Sequence, residues 1–249
     1  MTQPLTIIGS YVSPYVRKVL ACMNLKGLAY EVDPITPFFG NDEFRRRSPL
    51  CRIPVLIDGD FSVSDSSVIC AYLEDAYPGH ALFPGASKDR AHARWLEEFA
   101  DTRLGDLLIW SFFYQRVVKP LVWGEPADEA RVQKALDEDI PTALDYLEGE
   151  LPAEGFLFGE IGVADIAIAS FFRNAHYAAY SIDASRWPRT ATFVERTLGH
   201  PCLATLLPLE DVQRNASIKG RRQALLDAGA RLTETSHGTG EARRGMMHL

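Results

Sequence analysis

A change of hydrophobic period near residue 84 divides the chain into two parts that must be built differently. Before it, short apolar runs alternate with helical patterns. Leu5 to Gly9 reads as a buried strand with a glycine stop. From Pro14, the apolar residues Val16, Val19, Leu20 and Met23 recur at helical spacing along one face. Pro14 suits the first helical position, where its missing N–H costs nothing, and Gly27 suits the residue past the end. Tyr30–Val32 reads as a second strand. Val55–Ile57 and Phe61–Val63 flank Asp58-Gly59, a hairpin signal, because glycine supplies the positive φ of a tight turn. Ile69, Tyr72, Leu73 and Ala76 restore helical spacing until Pro78-Gly79. After residue 88 only helical patterns remain, at 88–118, 128–150 and 163–180.

The expected fold class is therefore an α+β N-terminal domain, a mixed sheet with helices, followed by an all-α C-terminal domain. Boundaries are expected at 1–84 and 89–232, with a Pro- and Gly-rich linker over 78–88. Residues 233–249, with scattered charges and no period, are expected to form a mobile tail.

A chain of 249 residues is long enough for two such units. Its 26 basic and 33 acidic side chains sum to −7, which argues against a dedicated nucleic-acid binder. No apolar run approaches the ~20 residues of a membrane helix. The opening Met1-Thr2-Gln3-Pro4 has neither the basic start nor the apolar stretch of a secretory leader. Cys22, Cys51, Cys70 and Cys202 lie far apart, without a C-x-x-C pair or histidines at zinc spacing. A reduced, cytoplasmic protein without a metal site is expected, with no nucleic-acid or membrane partner.

Four motifs carry chemistry. Ser10-Tyr11-Val12-Ser13-Pro14 places hydroxyls on the turn between the first strand and the first helix. Ser48-Pro49-Leu50-Cys51-Arg52-Ile53-Pro54 places a proline at a strand start. Val63-Ser64-Asp65-Ser66 opens a helix with an acid and a hydroxyl. Gly162-Val163-Ala164-Asp165 opens the most apolar helix of the second half. A hydroxyl at a helix start can hold a thiolate, because the hydrogen bond and the helix dipole both favour the anion.

In this order, ahead of an all-helical half, the motifs resemble those of the cytosolic glutathione transferases over about residues 4–215. The resemblance implies a thioredoxin-like N-terminal domain that binds glutathione as cosubstrate, and a helical domain that carries the pocket for a small electrophile. It implies Ser13 as the hydroxyl that activates the thiol, with Tyr11 and Ser10 as rivals on the same turn and helix capping as the structural role. It further implies a cis bond before Pro54, Ile53 pairing its main chain with the cysteinyl unit, and Arg52 meeting a glutathione carboxylate. Ser66 would hold the γ-glutamyl carboxylate, and Asp65 would face the ammonium. Gly162–Asp165 matches a folding box that usually starts with Ser or Thr, and its role is structural. A homodimer working in detoxification is implied, without metal or prosthetic group. The alternatives are a non-catalytic module of the same fold, or a glutathione-dependent isomerase, dehalogenase or peroxidase.

Overall fold

The computed structural model describes residues 4–244; Met1–Gln3 and residues 245–249, which include the leader reading and the end of the expected tail, lie outside the described residues. The first part of the chain forms a four-stranded sheet in the order β2-β1-β3-β4. Strand β1 (Leu5–Ile8) runs parallel to β2 (Tyr30–Asp33) and antiparallel to β3 (Val55–Asp58), which pairs with β4 (Phe61–Ser64). The hairpin turns at Gly59, whose φ of 60° is the left-handed conformation that glycine adopts freely.

Helix α1 (Pro14–Leu25) buries the predicted face, with Val16, Val19, Leu20 and Met23 all at 0% exposure. Ser13 caps it, Pro14 occupies its first turn, and Gly27 follows its end with φ 66°. A short α2 (Asp42–Arg47), capped by Asn41, lies between β2 and β3. Helix α3 (Ser66–Ala76) follows β4. This is the mixed-sheet domain that the sequence predicts.

The second unit is helical. Helix α4 (Ser87–Phe99) continues through a π-wound stretch, Ala100–Val118, into α5 (Lys119–Trp123). Helix α6 (Glu129–Lys134) continues similarly through Ala135–Asp139 into α7 (Ile140–Glu150). Helix α8 (Val163–Tyr177) is buried along nearly its whole length, and α9 (Pro188–Leu198) packs on it. Phe113 and Tyr114 are buried side chains of this unit.

The Asp165 carboxylate accepts from the amides of Leu157 and Gly162, each at 2.9 Å, as expected of a box at a buried helix start. Burial, against these bonds, raises its pKa from 3.8 to about 6. The glycine that replaces the usual Ser or Thr has a steric reason. A Cβ on Gly162 would stand 2.9 Å from the carbonyl oxygen of Leu82, which is itself bonded to the Val163 amide at 3.0 Å.

The compact units differ from the expected boundaries. One joins the chain up to Ala81 with the segment from Pro201 onward; the other is Leu82–His200. Helices α10 (Pro201–Ala204), α11 (Leu207–Asn215) and α12 (Arg221–Asp227) therefore belong with the sheet. The reason is a set of long-range bonds that local patterning does not encode. Arg17 and Glu210, both fully buried, form a two-pronged ion pair at 2.5 and 2.8 Å.

Where a mobile tail was expected, residues 231–243 are bound to the chain from Val32 to Asp42. Val32 N–H donates to the Arg231 carbonyl at 3.0 Å, and Thr233 N–H donates back to Val32 at 3.2 Å. Asp33, at 0% exposure, accepts from the Ser236 hydroxyl and the His237 amide at 2.8 and 2.6 Å, and lies 3.0 Å from the His237 ring. Thr239 and Arg243 then bond to the carbonyls of Phe39 and Phe38.

Candidate functional site

Sheet register brings the N-terminal motifs to one end of the sheet. Ile8 pairs with Asp33 on one side and with Val55 on the other, and Val55 pairs with Ser64. The Ser10–Ser13 turn leaves β1 just past Ile8, Ile53-Pro54 enters β3 just before Val55, and Asp65-Ser66 leaves β4 just past Ser64. With strands about 4.8 Å apart, three motifs scattered over the sequence face one small region. Gly9 allows the closest approach: a Cβ there would stand 2.5 Å from Val16 Cγ2 and 3.3 Å from Ile53 Cβ.

The turn itself is closed by the Ser13 amide donating to the Ser10 carbonyl at 3.0 Å. Ser13 is partly exposed, and its Oγ accepts from the Val16 amide at 3.4 Å. Capping uses a lone pair of that oxygen, so the hydroxyl hydrogen stays available as a donor. Ser10 is buried, and its Oγ accepts from Val12 at 3.3 Å. Tyr11 is 2% exposed, and burial, with Tyr30 nearby, pushes its phenol well above the usual tyrosine range.

The Ile53–Pro54 bond is cis. Ile53 packs against the cluster of Ile8, Ile35, Phe44, Cys51 and Val55. The β1–β3 ladder stops at Ile8–Val55, and among the described residues the Ile53 main chain forms no backbone hydrogen bond. Its N–H and C=O are thus free to pair with an added extended peptide. The preceding loop is held by Ser48, whose Oγ accepts from the Arg52 amide at 3.0 Å and donates to the Arg52 carbonyl at 2.7 Å. The Arg52 side chain is exposed.

Asp65 has φ 87°, a conformation L-residues rarely adopt, at the start of α3. Its Oδ1 caps the helix, accepting from Ser67 and Val68 at 3.0 and 3.2 Å. Asp65 thus caps α3 through Oδ1, leaving Oδ2 beside it. Ser66 is 3% exposed, in the first turn of α3. Sequence reasoning missed Lys18, which is 1% exposed and donates from Nζ to Ser67 Oγ at 3.2 Å. Nothing local marks it out, because it stands next to Arg17 on α1 and its partner Ser67 lies on α3. Two helix N-termini of adequate length and a buried ammonium thus converge where β1 and β4 end, an environment that favours anions.

The sequence model of the glutathione S-transferase N-terminal domain matches residues 7–81, and that of the C-terminal domain matches residues 129–196. Glutathione S-transferase 3 of Zea mays is 30% identical over 162 residues, which cover 63% of this chain and 71% of the maize protein. The chain belongs to the glutathione S-transferase family. Among solved structures, a glutathione S-transferase from Rhodospirillum rubrum superposes with a TM-score of 0.74 at 24% identity, covering 82% of this chain and 91% of that one, and supports the fold. A glutathione S-transferase from Methylobacterium radiotolerans, solved with glutathione sulfonate, superposes with a TM-score of 0.68 at 25% identity, covering 82% of this chain and 94% of that one. Within this family, the sheet end just described lies inside the matched N-terminal domain. Among the described residues no helix is long and apolar enough to cross a membrane, and no group of three His, Cys, Asp or Glu is placed to hold a metal ion.

Proposed function

We propose that this glutathione transferase binds glutathione along the sheet end and activates its thiol through the Ser13 hydroxyl. The observation that carries the reading is the Asp33–Ile8–Val55–Ser64 row, which puts a hydroxyl at a helix start, an unpaired main-chain edge and a second helix N-terminus side by side. The Ser13 O–H donates to the sulfur, and the positive end of α1 acts on the same atom, so both favour the thiolate. Ile53 pairs with the cysteinyl unit. Ser66 and the first amides of α3 hold the γ-glutamyl carboxylate, with Lys18 adding positive charge behind them. Asp65 Oδ2 faces the ammonium, and Arg52 meets the glycyl carboxylate.

The thiolate then attacks an electrophilic carbon of a small molecule. The C–S bond takes the sulfur electron pair, and either the leaving group departs or the displaced pair is protonated by solvent. Tyr11 is a poorer candidate for activating the thiol, because its phenol is buried and burial makes it a weaker acid and so a weaker hydrogen-bond donor. The chain is read as a cytoplasmic detoxification enzyme and a homodimer. Exposed Leu50 in the turn before β3, Phe61 on β4 and Val68 on α3 support a second copy as partner.

The test combines calorimetry with pH–rate profiles against aryl halides, epoxides, enones and peroxides. Ser13→Ala should lower kcat at neutral pH and raise the pH midpoint, with glutathione affinity little changed. Tyr11→Phe should leave that midpoint in place, and Ser66→Ala should weaken glutathione by about 1–3 kcal/mol, the cost of a hydrogen bond lost to a charged partner. A midpoint moved by Tyr11→Phe and not by Ser13→Ala overturns the assignment.

A further inference from the structure

We infer that Gln213 is a positioning residue for the thiol-activating turn, acting on its peptide groups from α11; this rests on the glutathione reading above. Gln213 is 1% exposed, and its amide makes two bonds. Oε1 accepts from the Tyr11 amide at 2.8 Å, and Nε2 donates to the Pro34 carbonyl at 2.9 Å. Tyr11 is the second residue of the Ser10–Ser13 turn, and Pro34 follows the end of β2. One side chain therefore ties the turn after β1 to the end of the neighbouring strand.

One helical turn earlier on α11, Glu210 holds Arg17, whose NH2 also reaches the Val12 carbonyl at 3.5 Å. Tyr11 and Val12 are the two central residues of the turn. Its inward N–H is held directly by α11, and the following carbonyl is approached through Arg17. Rotating either central peptide would swing Ser13 Oγ away from the α1 axis. With both held, the hydroxyl and the helix dipole stay aimed at one point, the preorganisation that stabilises an anion without rearrangement. Nothing in the local sequence around Ser13 announces this, because the gripping side chain lies 202 residues away.

The test uses the full chain with Gln213→Met, which keeps the volume and removes both bonds, and Gln213→Asn, whose shorter arm cannot span both partners. The readouts are the pH titration of the ultraviolet thiolate band of bound glutathione, the KM for glutathione, and hydrogen exchange of the Tyr11 amide. The expected result is a thiolate midpoint raised by about half a unit or more, which is a roughly threefold loss of thiolate below the midpoint. The KM should change less than about twofold, and Tyr11 exchange should speed up at least tenfold. A folded variant of either kind that keeps the wild-type midpoint overturns the inference. So does unchanged Tyr11 exchange, a readout that needs no ligand. If the wild-type protein itself fails to lower the thiol midpoint below that of free glutathione, the reading of the site falls, and this one with it.

Discussion

Replacing Glu210 with leucine would leave the Arg17 guanidinium buried without its carboxylate. Both side chains are at 0% exposure, and the pair is bonded twice, Nε to Oε1 at 2.5 Å and NH2 to Oε2 at 2.8 Å. Breaking such a pair costs about 3–5 kcal/mol, because the surviving charge has lost both water and partner. For a chain of this size, about 2–4 °C per kcal/mol converts that into a fall in Tm of roughly 6–20 °C. Removing both charges in Arg17→Met/Glu210→Leu is a different perturbation. No charge stays stranded, and the remaining loss includes the long bond from Arg17 to the Val12 carbonyl at 3.5 Å, worth about 1 kcal/mol at most. The double variant should therefore lie within about 1–2 kcal/mol of the parent. Urea unfolding followed by far-ultraviolet circular dichroism measures all corners of the cycle. If Glu210→Leu costs under about 1 kcal/mol, as exposed pairs do, the pair is not desolvated as described. If the double variant is as unstable as the two single variants added together, the stranded-charge reasoning fails.

Two further outcomes follow from the second unit. Gly162→Ser, which would restore the usual first residue of the folding box, should destabilise by about 1–3 kcal/mol, because its Cβ meets backbone that cannot swing away; thermal melts showing stabilisation would refute the steric account. Asp165 holds its proton up to about pH 6 in the folded chain but releases it near 3.8 when unfolded, so its contribution is largest at low pH and falls as pH rises through that window. The stability of wild type minus that of Asp165→Asn should drop by roughly 2 kcal/mol between pH 4 and pH 7, and a difference that stays level or rises would contradict it.

What the sequence made legible was whatever its neighbours decide. Val16, Val19, Leu20 and Met23 announce the buried face of α1, Asp58-Gly59 announces the hairpin, and the hydroxyl and acid at each helix start announce the caps. Distance along the chain hid the rest. Arg17 and Lys18 sit beside the apolar face of α1 and read locally as solvated charges. Glu210 and Ser67, distant in the sequence, supply partners for them where they are buried. Gly162 reads as a weakened cap until the Leu82 carbonyl is placed against it. The stretch 231–243 has no hydrophobic period because main-chain bonds and one buried carboxylate, rather than a packed face, hold it.

That segment also settles how the sheet meets its surroundings. In the order β2-β1-β3-β4, β2 is a border strand, and a border strand offers a row of unsatisfied amides and carbonyls to any passing strand. Here Arg231 and Thr233 occupy those groups at Val32, and the bonds to Asp33, Phe38 and Phe39 keep the cover in place. A nascent or clipped chain that lacks residues 231–243 would carry the same sheet with a bare border, open to pairing with a second copy. Resistance to strand-to-strand aggregation therefore depends on a stretch with no apolar period of its own reaching a strand made about two hundred residues before it.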